Sequence, residues 1–272
     1  FDSETRKQVA VSMLSRLKGL PVALAMFVSA VFVLLPLGSA AEFSLRQPAT
    51  HDHGLKNYLW IFEQPEFAHY MGVSFALSAV ASLILLVLLV PTVVWLNLKG
   101  QKLRPFVDFI TLMPLVIPVV ALAIGAQNSL PEFAQTNQFI LSFLYAVLAM
   151  PYAYRTLDTG LKAIPLKTIS EAARGLGANW FVAIFKVITP VIRGTVLSAL
   201  FMSLALSFGE YTITSLLHWD TFTTWVTVIS QQNVMGAIAL SVFSLLAIFI
   251  FLLLVGLLAK PATSQAAKGE ES

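Results

Sequence analysis

The sequence predicts an all-α integral membrane protein with six membrane-spanning helices. Both ends lie on one side of the bilayer, and a small helical element lies on that same side between spans four and five. Three observations carry this reading. Only 11% of the 272 residues are charged and 57% are hydrophobic, against about 25% charged in soluble domains. Several stretches approach the ~20 apolar residues that a helix needs to cross the hydrocarbon, and residues 236–258 contain no charge at all. Lysine and arginine, finally, are shared very unequally between alternate connecting segments.

Taken in order, residues 1–19 form a basic, polar tail that begins at Phe1. The apolar run that follows, 20–37, is longer than the apolar region of a signal peptide, so it is read as an uncleaved first span, although "GSAAE" imitates a cleavage site. Further spans are expected near 72–96, 106–125, 139–154, 191–217 and 234–258, the fourth being short. Residues 20–259 thus make one six-span domain, and 260–272 a second tail. Pro91, Pro114, Pro118 and Pro151 interrupt spans, and proline kinks a spanning helix and frees carbonyls that neighbours must satisfy. Pro114 and Pro118 are four apart on one face of the third span, which makes them candidates for shaping a path through the membrane.

Of the seventeen basic residues, only Arg46 and Lys56 fall in segments 38–71, 126–138 and 218–233. The other fifteen lie in the two tails, in 97–105, or between 155 and 193. The positive-inside rule therefore puts both termini and the 156–190 loop in the cytosol. All four histidines, His51, His53, His69 and His218, fall on the outer side. "HDHG" with Glu63 and Glu66 nearby invites a metal reading, but spacing alone supplies no convergent geometry; solvated loop histidines are the plainer expectation.

Two ionisable residues sit within spans, where such groups are functional candidates. Asp108 follows Arg104 by one helical turn, the spacing of an interfacial ion pair. Glu210 lies twenty residues past Pro190, roughly 30 Å along a helix and so near the outer interface, where it either lines the mouth of a path or anchors a helix end.

The segment "SEAARGLGANWFVAIFKVITP" is polar and glycine-punctuated between apolar runs. Pro165 suits a first helical turn, Thr168 or Ser170 a cap, and Glu171 the positive end of the helix dipole. Ala172 and Ala173 leave a small-residue face. Gly175 and Gly177 permit a sharp turn, after which Phe181, Ile184, Phe185 and Ile188 repeat at helical spacing as one apolar stripe.

Glu171-Ala172-Ala173, then Gly177, then Pro190 thirteen positions on, resembles the EAA loop of bacterial ABC-importer permeases. The family's Ile-x-Leu-Pro ending is here Val187-Ile188-Thr189-Pro190. "KNYLWIFEQPEF", "LMPLVIPVVALAIG" and "LALSFGEYTITSLL" resemble, in order and spacing, other segments of the same family. The polyamine, iron, thiamine and phosphonate group is nearest in look, because Phe208-Gly209 stands where sugar permeases tend to have Trp-Asn.

The resemblance implies a multi-pass subunit of the bacterial cytoplasmic membrane that forms a solute path, with a polyamine-type solute the first expectation. It implies that Glu171, Ala172, Ala173, Arg174 and Gly177 form the coupling helix and its turn, docked on a dimer of cytosolic ABC ATPases. ATP and Mg belong to that partner; this chain binds no cofactor and has no GxxxxGK[ST] phosphate loop of its own. A second permease chain, a heterodimer in preference to a homodimer, and an extracytoplasmic substrate-binding protein complete the implied set. Pro114, Pro118 and Glu210 are the path candidates.

Other classes fit less well. The scattered basic residues form no aromatic-interleaved stripe for nucleic acid. Cysteine is absent, which removes thiolate sites and disulfides. A membrane-embedded enzyme needs convergent polar residues at depth, and an ATP-independent carrier usually shows internal repeats with broken helices; neither pattern is evident.

Overall fold

The computed structural model describes residues 3–47 and 52–258, excluding the side chains of residues 3–20, Val255 and Leu258. His51, the first two residues of the N-terminal tail and the expected C-terminal tail lie outside the described residues. The contacts divide the chain into two units, 1–63 with 233–243, and 64–232 with 244–272.

In the first unit, α1 (Ser3–Leu45) is one helix that continues through Pro21 and Pro36. The expected first span ended at residue 37, but the apolar helix runs on, with a membrane-length segment Pro21–Leu45. Gly38 introduces no turn because Ala40, Ala41 and Glu42 after it favour helix. The end of α1 is tied to α2 (Lys56–Glu63). Asn57 Nδ2 donates to the carbonyls of Ser44 (2.8 Å) and Arg46 (3.0 Å), satisfying acceptors that a helix terminus leaves open. Tyr58 and Ser44 share a hydroxyl contact of 2.8 Å. Glu42 receives both Arg46 and His53 at 3.0 Å, so His53 is paired with a carboxylate in the turn after α1.

The second unit is organised around α3 (Phe67–Leu98), α7 (Ile140–Lys162) and α11 (Arg193–Phe208), which pack against one another. Lipid provides little hydrophobic drive between helices, so close approach through small residues matters more. Ser74, Ser78 and Ser82 form such a stripe on α3, all buried. Ser82 Oγ donates to Ser203 Oγ of α11 (3.1 Å), and Ser142 Oγ of α7 donates to the Leu77 carbonyl (3.0 Å). Gly160 lies so close to α11 that an added Cβ would stand 2.7 Å from Thr195 Cβ.

The third expected span is broken. After a 3-10 turn at Gln101–Leu103, α4 (Arg104–Leu112) and the tight turn Met113–Leu115 meet α5 (Val119–Ser129) at 97°. Pro114 and Pro118 flank this break and do not share a face of one helix. Proline has no N–H, so Pro118 cannot donate to the carbonyl of Pro114 and the ladder stops. Among the described residues, five helices are long and apolar enough to cross a membrane, and the bent pair makes a sixth if it counts as one span.

The chain next forms α6 (Glu132–Gln135) and then α7, which is longer than the sequence suggested: it reaches Lys162, past the expected end at 154. The loop expected from 156 therefore starts about two turns later. It contains α8 (Leu166–Gly175), α9 (Trp180–Val182), a wider π-type turn at Ala183–Ile188 and α10 (Thr189–Val191). The fifth span pauses after Phe208 and resumes as α12 (Thr212–Leu216). The connection expected at 218–233 is itself mostly helical, as α13 (Phe222–Gln232), before α14 (Val234–Leu258).

Candidate functional site: the helix and turn at 166–191

The first residue flanking α8 is Pro165, and Leu166 begins the helix. Thr168 and Ser170 therefore lie inside the helix and cap nothing, and Glu171 sits in its middle turn, away from the dipole's positive end. The reason is that Pro165, whose fixed φ suits a helix start, nucleates the turn earlier than the hydroxyl residues would. Leu166, Ser170 and Ala173 are buried, a spacing of four and three that defines the inward face. Glu171, Ala172 and Arg174 are exposed. Ala172 and Ala173 thus do not share a surface: Ala173 packs into the protein and Ala172 faces out, as 100° of rotation per residue requires. Lys167 and Glu171 approach to 4.0 Å, a surface pair of little energetic weight.

The end of α8 is tightly specified. Gly177 has φ +84°, its N–H donates to the Arg174 carbonyl (3.0 Å), and the Ala178 N–H donates to the Ala173 carbonyl (3.1 Å). That is the two-bond Schellman arrangement, in which the left-handed residue is usually glycine. Gly175 is still helical, with no contact that a Cβ would violate, so one glycine and not two makes the turn. Asn179 Oδ1 then accepts from the Val182 N–H at 2.9 Å and starts the next helical segment.

The expected apolar stripe on that segment is split. Ile184 and Ile188 are buried, whereas Phe181 is 71% and Phe185 47% exposed. The π-type winding at Ala183–Ile188 holds more residues per turn than an α-helix, so positions three apart diverge: Phe185 and Ile188 take different faces, while Ile184 and Ile188 stay together.

Beside this loop, the ends of α3, α4 and α7 meet in a polar cluster that the sequence reading did not contain. Asp158 is 3% exposed and accepts from Arg104, from Asn97 Nδ2 (3.0 Å) and from Lys162 Nζ (2.7 Å). Arg104 also stands 4.0 Å from Asp108, the partner expected for it, and Tyr154 donates to Asp108. Its signal in the sequence is Asp158 and Lys162 one turn apart, just beyond the expected end of the fourth span at 154.

Glu210 lies in the break between α11 and α12 and is 9% exposed. Its carboxylate accepts from the Ile213 N–H (3.0 Å) and from the N–H and hydroxyl of Thr214 (both 3.3 Å). Tyr145 OH contacts Thr214 Oγ1 at 2.6 Å, and the Glu210 carbonyl accepts from Thr223 Oγ1 at 2.7 Å. Glu210 thus braces the restart of the helix, tying α7, α12 and α13 together.

The comparisons with known proteins agree with this architecture. The family model described as the binding-protein-dependent transport system inner membrane component matches residues 68–262. A permease protein named for 2-aminoethylphosphonate transport, PhnV of Salmonella typhimurium, is 27% identical over 143 residues, which is 52% of this chain and 54% of that protein. Its counterpart in Salmonella choleraesuis matches equally. The match thus spans about half the length of these relatives. The crystal structure of a bacterial alginate ABC transporter, in complex with an alginate-bound periplasmic protein, contains a chain that aligns with TM-score 0.59 at 16% identity, covering 93% of this chain and 94% of that one. That likeness concerns the fold alone. With the family model matching most of its length, the chain belongs to the binding-protein-dependent transport system inner membrane components, the multi-pass permeases of ABC importers.

Proposed function

We propose that this chain is the permease subunit that couples solute import to a separate pair of ABC ATPases through α8. The observation that carries the reading is the outward face of α8. It presents Glu171, Ala172 and Arg174 on a helix whose inner face is packed and whose end is locked by Gly177. A rigid, solvent-facing knob on the loop between two core helices is what a partner must grip to move those helices as bodies. In this reading both termini and the 163–190 loop face the cytosol of a bacterium, and ATP and Mg are bound by the partner.

The exposed break at 116–118, where Val116 is 83% exposed, supports a path or a second permease chain on that side. Interrupted backbone is not left facing lipid; it is covered by protein or lines water. Pro114 and Pro118 then shape the path. Glu210 acts on it by holding the break between α11 and α12 in place. One coupling helix engages one ATPase, so two permease chains serve the pair, a heterodimer by the family resemblance, with an extracytoplasmic binding protein delivering solute.

For the solute, the polyamine-type expectation and the aminophosphonate of the PhnV relatives share a protonated amine, and we take a small amine-bearing solute as the working class. Uptake into vesicles carrying the full importer, challenged in turn by a polyamine and by 2-aminoethylphosphonate, separates them. The coupling reading is tested by ATPase copurification and uptake in Gly177→Val and Glu171→Lys at matched expression. Loss of both with normal membrane insertion supports it; normal assembly and uptake in both variants overturns it.

A further inference from the structure

A cavity of about 370 Å³ opens between the end of α3 and the turn after α8, lined by Trp95, Lys99, Arg174, Ala178, Asn179 and Trp180. The volume falls within the ~300–1,000 Å³ usual for small-molecule sites. Its walls are firm. The Trp95 ring lies against Gly100, where an added Cβ would stand 2.6 Å from its Cε3. The Trp95 carbonyl accepts the N–H groups of Lys99 (2.8 Å) and Gly100 (3.0 Å). Both tryptophans pack partly into the core, and the Lys99 ammonium stands 6.0 Å from the centre of the Trp180 ring.

The polar lining has one sign. Among the described residues, no carboxylate lines the cavity and neither Lys99 nor Arg174 forms an ion pair. Asn179 uses its oxygen on the Val182 N–H, which leaves its NH2 as a donor. Two unpaired cations and an amide donor in an aromatic-walled recess make a receptor for a phosphate-type anion.

Position selects the source of that anion. Trp95 and Lys99 occupy the end of a membrane-length helix, where interfacial tryptophan and lysine flank hydrocarbon. On the neighbouring segment Phe181 and Phe185 are 71% and 47% exposed, an apolar surface suited to acyl chains. We propose that this cavity binds the headgroup phosphate of an anionic phospholipid, so that one lipid bridges the end of α3 and the turn that follows α8. The inference relies on the permease reading only for placing α3 in a bilayer.

The test uses the full chain purified in mild detergent and mass measurement of retained lipid, with phosphatidylglycerol and phosphatidylcholine as probes. The expected result is selective retention of phosphatidylglycerol, weakened about fivefold in Lys99→Gln, restored in Lys99→Arg, and unchanged in Lys186→Gln, whose lysine lies outside the lining. Equal retention of the two lipids, or unchanged selectivity in Lys99→Gln, overturns the proposal. Displacement of phosphatidylglycerol by millimolar inorganic phosphate would make this a free-anion site and also overturns it. If Lys99→Gln keeps its lipid but loses the ATPase, the occupant is an acidic side chain of that partner, and the lipid assignment fails while the permease reading stands.

Discussion

Arg104 and Asp158, 54 positions apart in sequence, are bound side chain to side chain where α4 meets α7. Asn97 from α3 shares the same carboxylate oxygen, so one aspartate ties three helices at the root of the loop that carries α8. Asp158 is nearly inaccessible while Lys162, its outer partner, is 55% exposed. The cluster is thus a peg set into the protein with one end in solvent.

Removing one partner of a buried ion pair leaves the other charge uncompensated, at a cost of about 3 kcal/mol. Asp158→Leu should therefore lower the thermal stability of the detergent-solubilised protein, read by size-exclusion after heating. Adding Arg104→Met should recover part of that loss, because Arg104 would otherwise keep only its 4.0 Å approach to Asp108 and a 3.3 Å bond to Asn97. A double variant less stable than Asp158→Leu would contradict this account.

Gly160 is expected to accept nothing larger without cost. A Cβ there meets Thr195, and overpacking of this kind costs about 1–3 kcal/mol. Gly160→Leu should reduce stability more than Gly160→Ala, and Thr195→Gly should rescue Gly160→Ala. Absence of rescue would mean that α7 and α11 do not meet at these two positions.

Glu210→Ala removes charge-assisted bonds to two backbone N–H groups, worth about 1.5–3 kcal/mol to charged partners. Thermal stability should fall, and fall less in Glu210→Gln, which keeps one acceptor oxygen. If Glu210→Gln instead matches the parent in stability but changes the KM for uptake, the side chain serves the solute and not the helix restart.

The two glycines near the end of α8 should behave oppositely. A residue with a Cβ in the left-handed region costs about 1–2 kcal/mol, so Gly177→Ala should weaken ATPase copurification. Gly175→Ala, in helical backbone with open space around it, should leave copurification at the parental level. Equal effects of both would show that the turn's conformation is not what α8 depends on.

The proposed orientation is checked with cysteines, which the chain lacks. Single cysteines at Lys167, 84% exposed on α8, and at Lys56 should react with an impermeant reagent from opposite faces of sealed vesicles. Labelling of both from the same face would reject the six-span arrangement with cytosolic ends.

The spans were legible because apolar length is written locally: the last matches its expected bounds at 234–258. What was not legible arises from contacts between distant segments. Nothing near Asp158 names Arg104 or Asn97 as its partners, so the sequence alone gives no reason to carry the fourth span past 154. Pro114 and Pro118 were visible as interruptions, but whether two prolines kink a helix or turn it through a right angle is set by what packs on either side. At α8 the residue types were readable and the faces were not, because Pro165 starts the helix ahead of the cap residues and so fixes which alanine turns inward.

The wide turn at Ala183–Ile188 bears on how relatives of this chain should be compared. A π-type turn carries one residue more than the α-helical turn it replaces, so this stretch holds a position that an uninterrupted helix does not need. Lys186 is exposed there and Ile184 and Ile188 are buried. Deleting Lys186 should let the turn tighten to α-helical winding while those two isoleucines stay on one face, three apart instead of four. Homologous chains that are one residue shorter between Asn179 and Pro190 should then superpose on this one in space, with the gap in the alignment falling inside a continuous helix and not in a loop.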